Sequence, residues 1–270
     1  MNQLKQNAKH IIEYLGLGQS IDKARFYLQY LQQKRKINAF KASHPGMPLP
    51  RPFMIYETFR LDYQRYIDSG KADAKGIYDE VKEFIDLNNK SILDWGCGPG
   101  RIIRYFPGIV PSAKLYASDY NKSYINWCQK NLKAITFKEN FLSPPLLFEN
   151  NSMDFCYAIS IFTHLSTEKH YKWIDEIYRI LSPGAVFYFT THGAITRKNL
   201  LETERIKYDS GTIVERGNVK EGYRMYTAYH PVPFIKKLLS GKFEILKHRQ
   251  GIEKPWGLEQ DVWIARKKQD

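Results

Sequence analysis

The chain has little cysteine: three residues in 270, at positions 97, 128 and 156. They are too few and too scattered for a disulfide framework or a zinc site, and they fit a reducing compartment. No apolar run approaches 18 residues, so no transmembrane helix is expected. Residues 1–15 contain Lys5, Lys9 and Glu13 and do not resemble a secretory signal, which makes a cytoplasmic protein the expectation. Internal repeats and low-complexity stretches are missing too, which excludes solenoids and disordered polar tails.

What is present in excess is positive charge: 41 Lys and Arg against 28 Asp and Glu, net +13. Residues 1–60 hold 10 basic and 3 acidic side chains, residues 61–193 hold 15 of each, and residues 194–270 hold 16 and 10. The whole surplus therefore lies outside the central stretch. Clustered Lys and Arg concentrate anionic partners, so an anionic acceptor or carrier is expected. Oligomeric state is not legible.

The central stretch carries the most specific signal. Residues 92–101 read Ile-Leu-Asp-Trp-Gly-Cys-Gly-Pro-Gly-Arg, an apolar strand ending in an acid and running into glycines at every second position. A dinucleotide turn has the spacing G-x-G-x-x-G, which would need its third glycine at 101, where this chain has Arg. NAD and FAD are thereby disfavoured. An acid at the strand end suits a cationic ligand better than a pyrophosphate. A tight strand-to-helix turn in some other doubly wound enzyme is the alternative.

Asp94-x-Gly96-x-Gly98-x-Gly100 resembles the first motif of the class I S-adenosylmethionine-dependent methyltransferases. The resemblance implies S-adenosylmethionine as cofactor, cradled by Asp94, Gly96, Cys97, Gly98 and Gly100. A second strand over residues 113–118 ends in Asp119, 25 residues beyond Asp94. The family implies that Asp119 accepts hydrogen bonds from the ribose hydroxyls, with Tyr120 beside the adenine. A helix cap near Ser123 is the competing role for Asp119. A third strand over 134–138 leads to Asn140 and Phe141, which hold the place of the family's adenine contacts. A fourth, over 154–160, is mostly apolar, of the kind buried on both faces of a parallel sheet. Ser160 and Ile161 follow at the methyl-donor end, within Ser-Ile-Phe-Thr-His-Leu. A helix opened by Ser166 and Glu168 and a fifth strand over 185–190 come next, and strands over 243–248 and 261–267 resemble the reversed hairpin that closes the family's sheet.

The fold expected is α/β: a doubly wound, mostly parallel seven-stranded sheet with a C-terminal antiparallel hairpin and an N-terminal helical cap. Residues 1–52 form the cap, with helices over 3–15 and 21–37 and a linker stiffened by prolines 45, 48, 50 and 52. Residues 53–270 form the methyltransferase domain, in which the family would place Tyr66, Ser69 and Gly70 over the methionine end. The 194–229 connection is far longer than usual, with a helix near 198–206 and a hairpin over 211–226, and it is where an acceptor would be chosen.

Methyl transfer from a sulphonium needs alignment and, for a hydroxyl, removal of a proton. The Asn/Asp-Pro-Pro-aromatic signature of base amino-methylases is absent after the fourth strand, and Pro144-Pro145 stands before that strand. No Pro-Cys nucleophile and no acid cluster for a metal is visible. An oxygen, or an already nucleophilic amine, is favoured: a sugar, a phosphorylated glycan precursor or a small metabolite. His164 is the preferred general base, with capping or packing at the next helix as its other role. His192 is a reserve, and so is His230. A tRNA or rRNA methyltransferase is the rival within the class, since the charge permits nucleic acid although no RNA-binding module is visible. A catalytically inactive partner subunit is the rival outside it.

Overall fold

The structure is a computed structural model that describes residues 18–217, 221–222, 226–255 and 257–269. The helix expected over 3–15 lies outside them. The chain divides into two compact units, one ending at Ala72 and the other running from Asp73 to Asp270.

The first unit is helical. It contains α1 (Gly18–Ser43), α2 (Pro52–Phe59) and most of α3 (Tyr63–Val81). α1 begins earlier and ends later than the apolar periodicity suggested. The prolines do keep residues 47–51 out of regular structure, and Pro52 starts α2, where its missing N–H costs nothing. Phe26, Ile37, Ile55, Tyr56, Leu61, Tyr63 and Tyr66 make this unit's own core.

The second unit is built on seven strands: β1 (Ser91–Trp95), β2 (Lys114–Asp119), β3 (Thr136–Glu139), β4 (Met153–Ala158), β5 (Leu181–Thr191), β8 (Phe243–Arg249) and β11 (Asp261–Lys267). Their order is β3-β2-β1-β4-β5-β11-β8. The first five pair in parallel, whereas β11 runs antiparallel to both β5 and β8. The seven-stranded sheet with its reversed C-terminal pair is therefore the fold. The short strands β6 (Val214–Arg216), β7 (Thr227–Tyr229), β9 (Glu253–Lys254) and β10 (Gly257–Leu258) form two small hairpins beside it.

Both faces of the sheet are covered, which explains the apolar run over residues 155–158 of β4. Met153, Cys156 and Ala158 join one core with Trp173, Ile174, Ile177 and Ile180 of helix α6 (Thr167–Ile180) and with Phe234, Ile235, Leu238 and Leu239 of α8 (Val232–Leu239). Phe155 and Tyr157 join the other core, with Ala74, Ile77 and Val81 of α3, Phe106 of α4 (Phe106–Ile109), and Ile125 and Cys128 of α5 (Lys122–Asn131). Successive side chains of a strand point to opposite faces, so a strand covered on both sides is apolar along its middle; the one charged side chain of β4, Asp154, lies near its start, where it accepts from Ser91 N–H.

Two local expectations are corrected. β4 stops at Ala158 instead of reaching Ser160, because Ser160 has φ +62° and leaves the extended region. β5 starts at Leu181, directly after α6, and takes in Ser182-Pro183-Gly184 as a β-irregular start in which Gly184 adopts φ +78°. Within the 194–229 connection, the helix is α7 (Glu202–Asp209), preceded by a 3₁₀ turn at Ala194–Asn199, and the paired strands are β6 and β7.

Candidate active site

Parallel strands β1, β2, β3 and β4 all end at one edge of the sheet, and the loops leaving them line a partly open cavity. Its walls are Trp95, Gly96, Asp119, Tyr120, Asn140, Phe141, Leu142, Ile161, His164, Leu165, Trp173 and Gly222. Seven residues singled out from the sequence are thus brought together: Gly96, Asp119, Tyr120, Asn140, Phe141, Ile161 and His164.

The glycine loop has a physical reason at each glycine. Gly96, Gly98 and Gly100 adopt φ of +81°, +52° and +68°, which side chains with a Cβ rarely tolerate. A Cβ on Gly96 would lie 2.0 Å from Ile161 Cδ1, and one on Gly100 would lie 2.6 Å from Leu132 Cδ1. A Cβ on Gly98 would meet nothing within 4 Å, so its positive φ and not packing favours glycine there; Gly98 and Gly100 do not line the cavity. Gly96→Ala is therefore expected to destabilise the protein by about 1–3 kcal/mol, from overpacking plus a strained φ. Thermal melting checks this, and adding Ile161→Ala should recover only the steric part. A wild-type melting temperature in Gly96→Ala would refute the packing argument.

Asp119 ends β2 and is clamped by the chain. Gly98 N–H donates to Oδ2 (2.8 Å) and Asn121 N–H donates to Oδ1 (2.7 Å). The cap of α5 is Asn121, whose side chain accepts from Ser123 N–H and Tyr124 N–H. Asp119 is thus free of the capping role and presents its carboxylate at the cavity wall. Asp94 is buried behind the loop, where Tyr157 O–H donates to its Oδ2 (2.9 Å). Burial pushes Asp94 up to about 7, against the Tyr157 hydrogen bond and the nearby charge of Arg101, and pushes Asp119 up to about 6. Arg101 itself pairs with Asp73.

Asn140 donates from Nδ2 to Phe141 O (2.7 Å), while its Oδ1 is buried without a partner. A buried orphan acceptor costs about 1–3 kcal/mol, and this one belongs to a cavity wall that already holds the clamped Asp119. Tyr120 and Phe141 are exposed, at 44% and 76%, and form an aromatic rim. An acceptor for an exocyclic amine, an acid for vicinal hydroxyls and aromatic faces for a purine together fit an adenosyl group.

The loop after β4 is fixed from β5 and from the residue just before β11. Ser160 N–H donates to Thr190 Oγ1 (2.8 Å), Gln260 Nε2 donates to Ser160 Oγ (2.8 Å), Thr190 O–H donates to Gln260 Oε1 (2.5 Å), and Ser160 and Thr163 share a hydroxyl contact at 2.9 Å. This network holds Ser160 in its left-handed conformation and sets Ile161 against Gly96. Ser160 itself does not line the cavity. Cys97 also stays outside it, in the apolar core, where burial pushes its thiol well up.

His164 closes a 3₁₀ turn, Phe162–His164, and the cap of α6 is Ser166, so capping is not its role. Its Nδ1 lies 2.7 Å from Tyr226 O. A carbonyl only accepts, so Nδ1 carries the proton and Nε2 is left as the acceptor nitrogen. Burial holds its pKa below the ordinary value. His192 is tied by Nδ1 to Ala228 O (3.1 Å), is pushed down to about 4 by burial, and does not line the cavity. His230 is buried against His170, Nε2 to Nε2 at 2.8 Å, well away from a basic role.

Sequence reading missed Trp95, Leu142, Leu165, Trp173 and Gly222 as wall residues. Trp95 stood inside the motif and Trp173 on the apolar stripe of α6, but nothing marked Gly222. The insert brings it there. Gly222 N–H donates to His164 O (2.9 Å), Tyr120 O–H donates to Gly222 O (2.9 Å), and Glu221 accepts from Ser166 N–H (3.0 Å) and pairs with Lys169. Tyr66 is packed in the first unit's core.

A doubly wound sheet with this strand order is the Rossmann-like methyltransferase fold, and the cavity lies at its carboxyl edge. Residues 92–184, about a third of the chain, match the family described as "Methyltransferase domain". That match supports a class I S-adenosylmethionine-dependent methyltransferase, with S-adenosylmethionine as the cofactor. It is 28% identical over 168 residues to a tRNA N(3)-methylcytidine methyltransferase of Schizosaccharomyces pombe, across 53% of this chain and 54% of that protein. The chain spans about half the length, or less, of the curated relatives it matches. A solved S-adenosylmethionine-dependent methyltransferase from Methanosarcina mazei has a TM-score of 0.56 at 22% identity, covering 72% of this chain and 99% of that one. The Burkholderia thailandensis 1,6-didemethyltoxoflavin-N1-methyltransferase has a TM-score of 0.54 at 18% identity, covering 82% and 92%.

Proposed function

We propose that the protein transfers a methyl group from S-adenosylmethionine to a hydroxyl of a sugar, glycan precursor or small metabolite, with His164 as the general base. When bound, the cofactor supplies an electrophilic methyl group on a sulphonium. Asp119, with Tyr120, Asn140 and Phe141, would hold its adenosyl part; Asp94, behind the loop, would add negative charge near the cation. The observation that carries the acceptor reading is the tautomer of His164. Its proton is pinned on Nδ1 by Tyr226 O, which leaves Nε2 to take a proton from a hydroxyl as the methyl group is transferred. Because burial lowers its pKa, His164 is already in the basic form at neutral pH.

The charge of the insert supports an anionic acceptor less than its composition suggested. Arg197, Lys198, Arg205 and Arg216 are each paired with an acid: Asp209, Glu253, Glu202 and Glu204 respectively. The proposal therefore rests on the hydroxyl and not on acceptor charge. Transfer to RNA is the second reading, favoured by the tRNA-modifying relative.

Incubation with radiolabelled S-adenosylmethionine and fractionated metabolites, glycans and RNA tests both readings. Label in a base-stable, ether-type small product supports the first, label confined to RNA replaces it with the second, and label nowhere points to a partner subunit. His164→Ala is expected to lower turnover by about 10²-fold or more while leaving affinity for S-adenosylhomocysteine within about threefold. Full turnover in that variant would remove His164 from the mechanism.

A further inference from the structure

Helix α1 has two apolar faces. Phe26 and Ile37, with Tyr30 and Phe40 beside them, turn into the core of the helical unit. At about 100° per residue, Ala24, Tyr27, Leu28 and Leu31 fall within roughly 100° of arc on a second face, turned about 150° from the first. That second face is in solvent. Tyr27, Leu28 and Leu31 are 62%, 62% and 67% exposed, where an ordinary surface helix would carry polar side chains.

Exposed cations border the stripe on both sides. Lys23 and Lys34 run along one edge, Arg25 and Lys36 along the other, and Arg35 continues the stripe toward the C-terminus. Asp22 is the helix's one acid. Among the described residues none of these five cations takes part in an ion pair, unlike the cations of the insert. An aliphatic stripe with free cations along both edges is the pattern of a helix lying in a lipid–water interface, where the apolar centre enters the acyl boundary and the long basic side chains reach anionic headgroups.

We propose that this face of α1 docks on an anionic lipid surface. A second copy of the chain is a poorer occupant, because two such faces would set unpaired cations against one another. RNA is poorer too, since Leu28 and Leu31 at the centre offer no ring for base stacking. No described helix is long and apolar enough to cross a membrane, so the contact is peripheral.

Co-sedimentation of the full chain with phosphatidylcholine vesicles, with and without about 30 mol% phosphatidylglycerol, tests it. Binding is expected only with the anionic lipid. Leu28→Glu/Leu31→Glu should cut the bound fraction at least about tenfold, while Lys236→Gln/Lys237→Gln, an equal change of charge at exposed positions of α8, leaves it within about twofold. Equal loss in both variants would mean unspecific attraction of a basic protein and overturns the proposal, as does no vesicle binding at all. So does a dimer in light scattering that Leu28→Glu/Leu31→Glu dissociates, or tRNA binding lost in that variant without loss of vesicle binding. The three native cysteines are buried, so a polarity-sensitive dye on Leu28→Cys gives an independent readout. Its emission should shift to the blue with anionic vesicles, and an unchanged spectrum counts against insertion.

Discussion

Asp119→Ala is expected to weaken binding of S-adenosylhomocysteine by at least about 100-fold, because two hydrogen bonds to a carboxylate are worth about 1.5–3 kcal/mol each. On the proposed reading the ribose hydroxyls would lose their acceptor, and in the structure Gly98 N–H loses the Oδ2 to which it donates. Asp119→Asn keeps one oxygen and one of these clamps, so its affinity should fall between the two, by about tenfold. Calorimetric titration at pH 8 decides it, with circular dichroism to confirm that the fold persists. An affinity within threefold of wild type in Asp119→Ala would show that the cavity wall takes its ligand some other way.

The second large effect concerns pH and Asp94. Its folded pKa, about 7, stands above the usual 3.8 because the carboxylate is buried. A group raised in this direction stabilises the folded protein fully below its unfolded pKa and loses that contribution as pH rises through its folded pKa. The ligand-free protein should therefore become less stable between pH 5 and pH 8, by on the order of 3 kcal/mol from Asp94. For a domain of this size that is about 6–12 °C in melting temperature. A cationic ligand reverses the trend, since it favours the ionised carboxylate; affinity should rise up to about tenfold per pH unit as pH climbs toward 7. Asp94→Asn should flatten both profiles and lower affinity at pH 8 by about tenfold or more. Melting curves at a series of pH values, with and without S-adenosylmethionine, measure both, and parallel profiles for wild type and Asp94→Asn would show that Asp94 does not titrate there.

Much of this was readable from local chemistry. The strand ending in Asp94 and the glycines at every second position specify a turn that only glycine can make, and the apolar run of β4 announces a strand covered on both faces. The sequence was ambiguous where one residue type serves two ends. Asp119 reads as a ligand acid with a helix cap as its rival role until Asn121 is seen to cap α5. His164 reads as base, cap or packing residue until Ser166 is seen to cap α6. Strand ends shifted for the same reason: the left-handed backbone at Ser160 is imposed by Thr190 and Gln260, which stand 30 and 100 residues away. In the insert, composition counts charges of both signs but not which cations sit against which acids.

The order of residues by itself determined the glycine turn, the parallel strands and the acid at the end of β2, because each depends on conformational preferences within a few neighbouring residues. Only the tertiary structure decided which nitrogen of His164 bears the proton, which oxygen of Asn140 is left without a donor, and that Gly222 reaches the cavity. Those outcomes depend on Tyr226, on burial and on a connection that folds back over the sheet edge, and such contacts are set by the packing of distant segments.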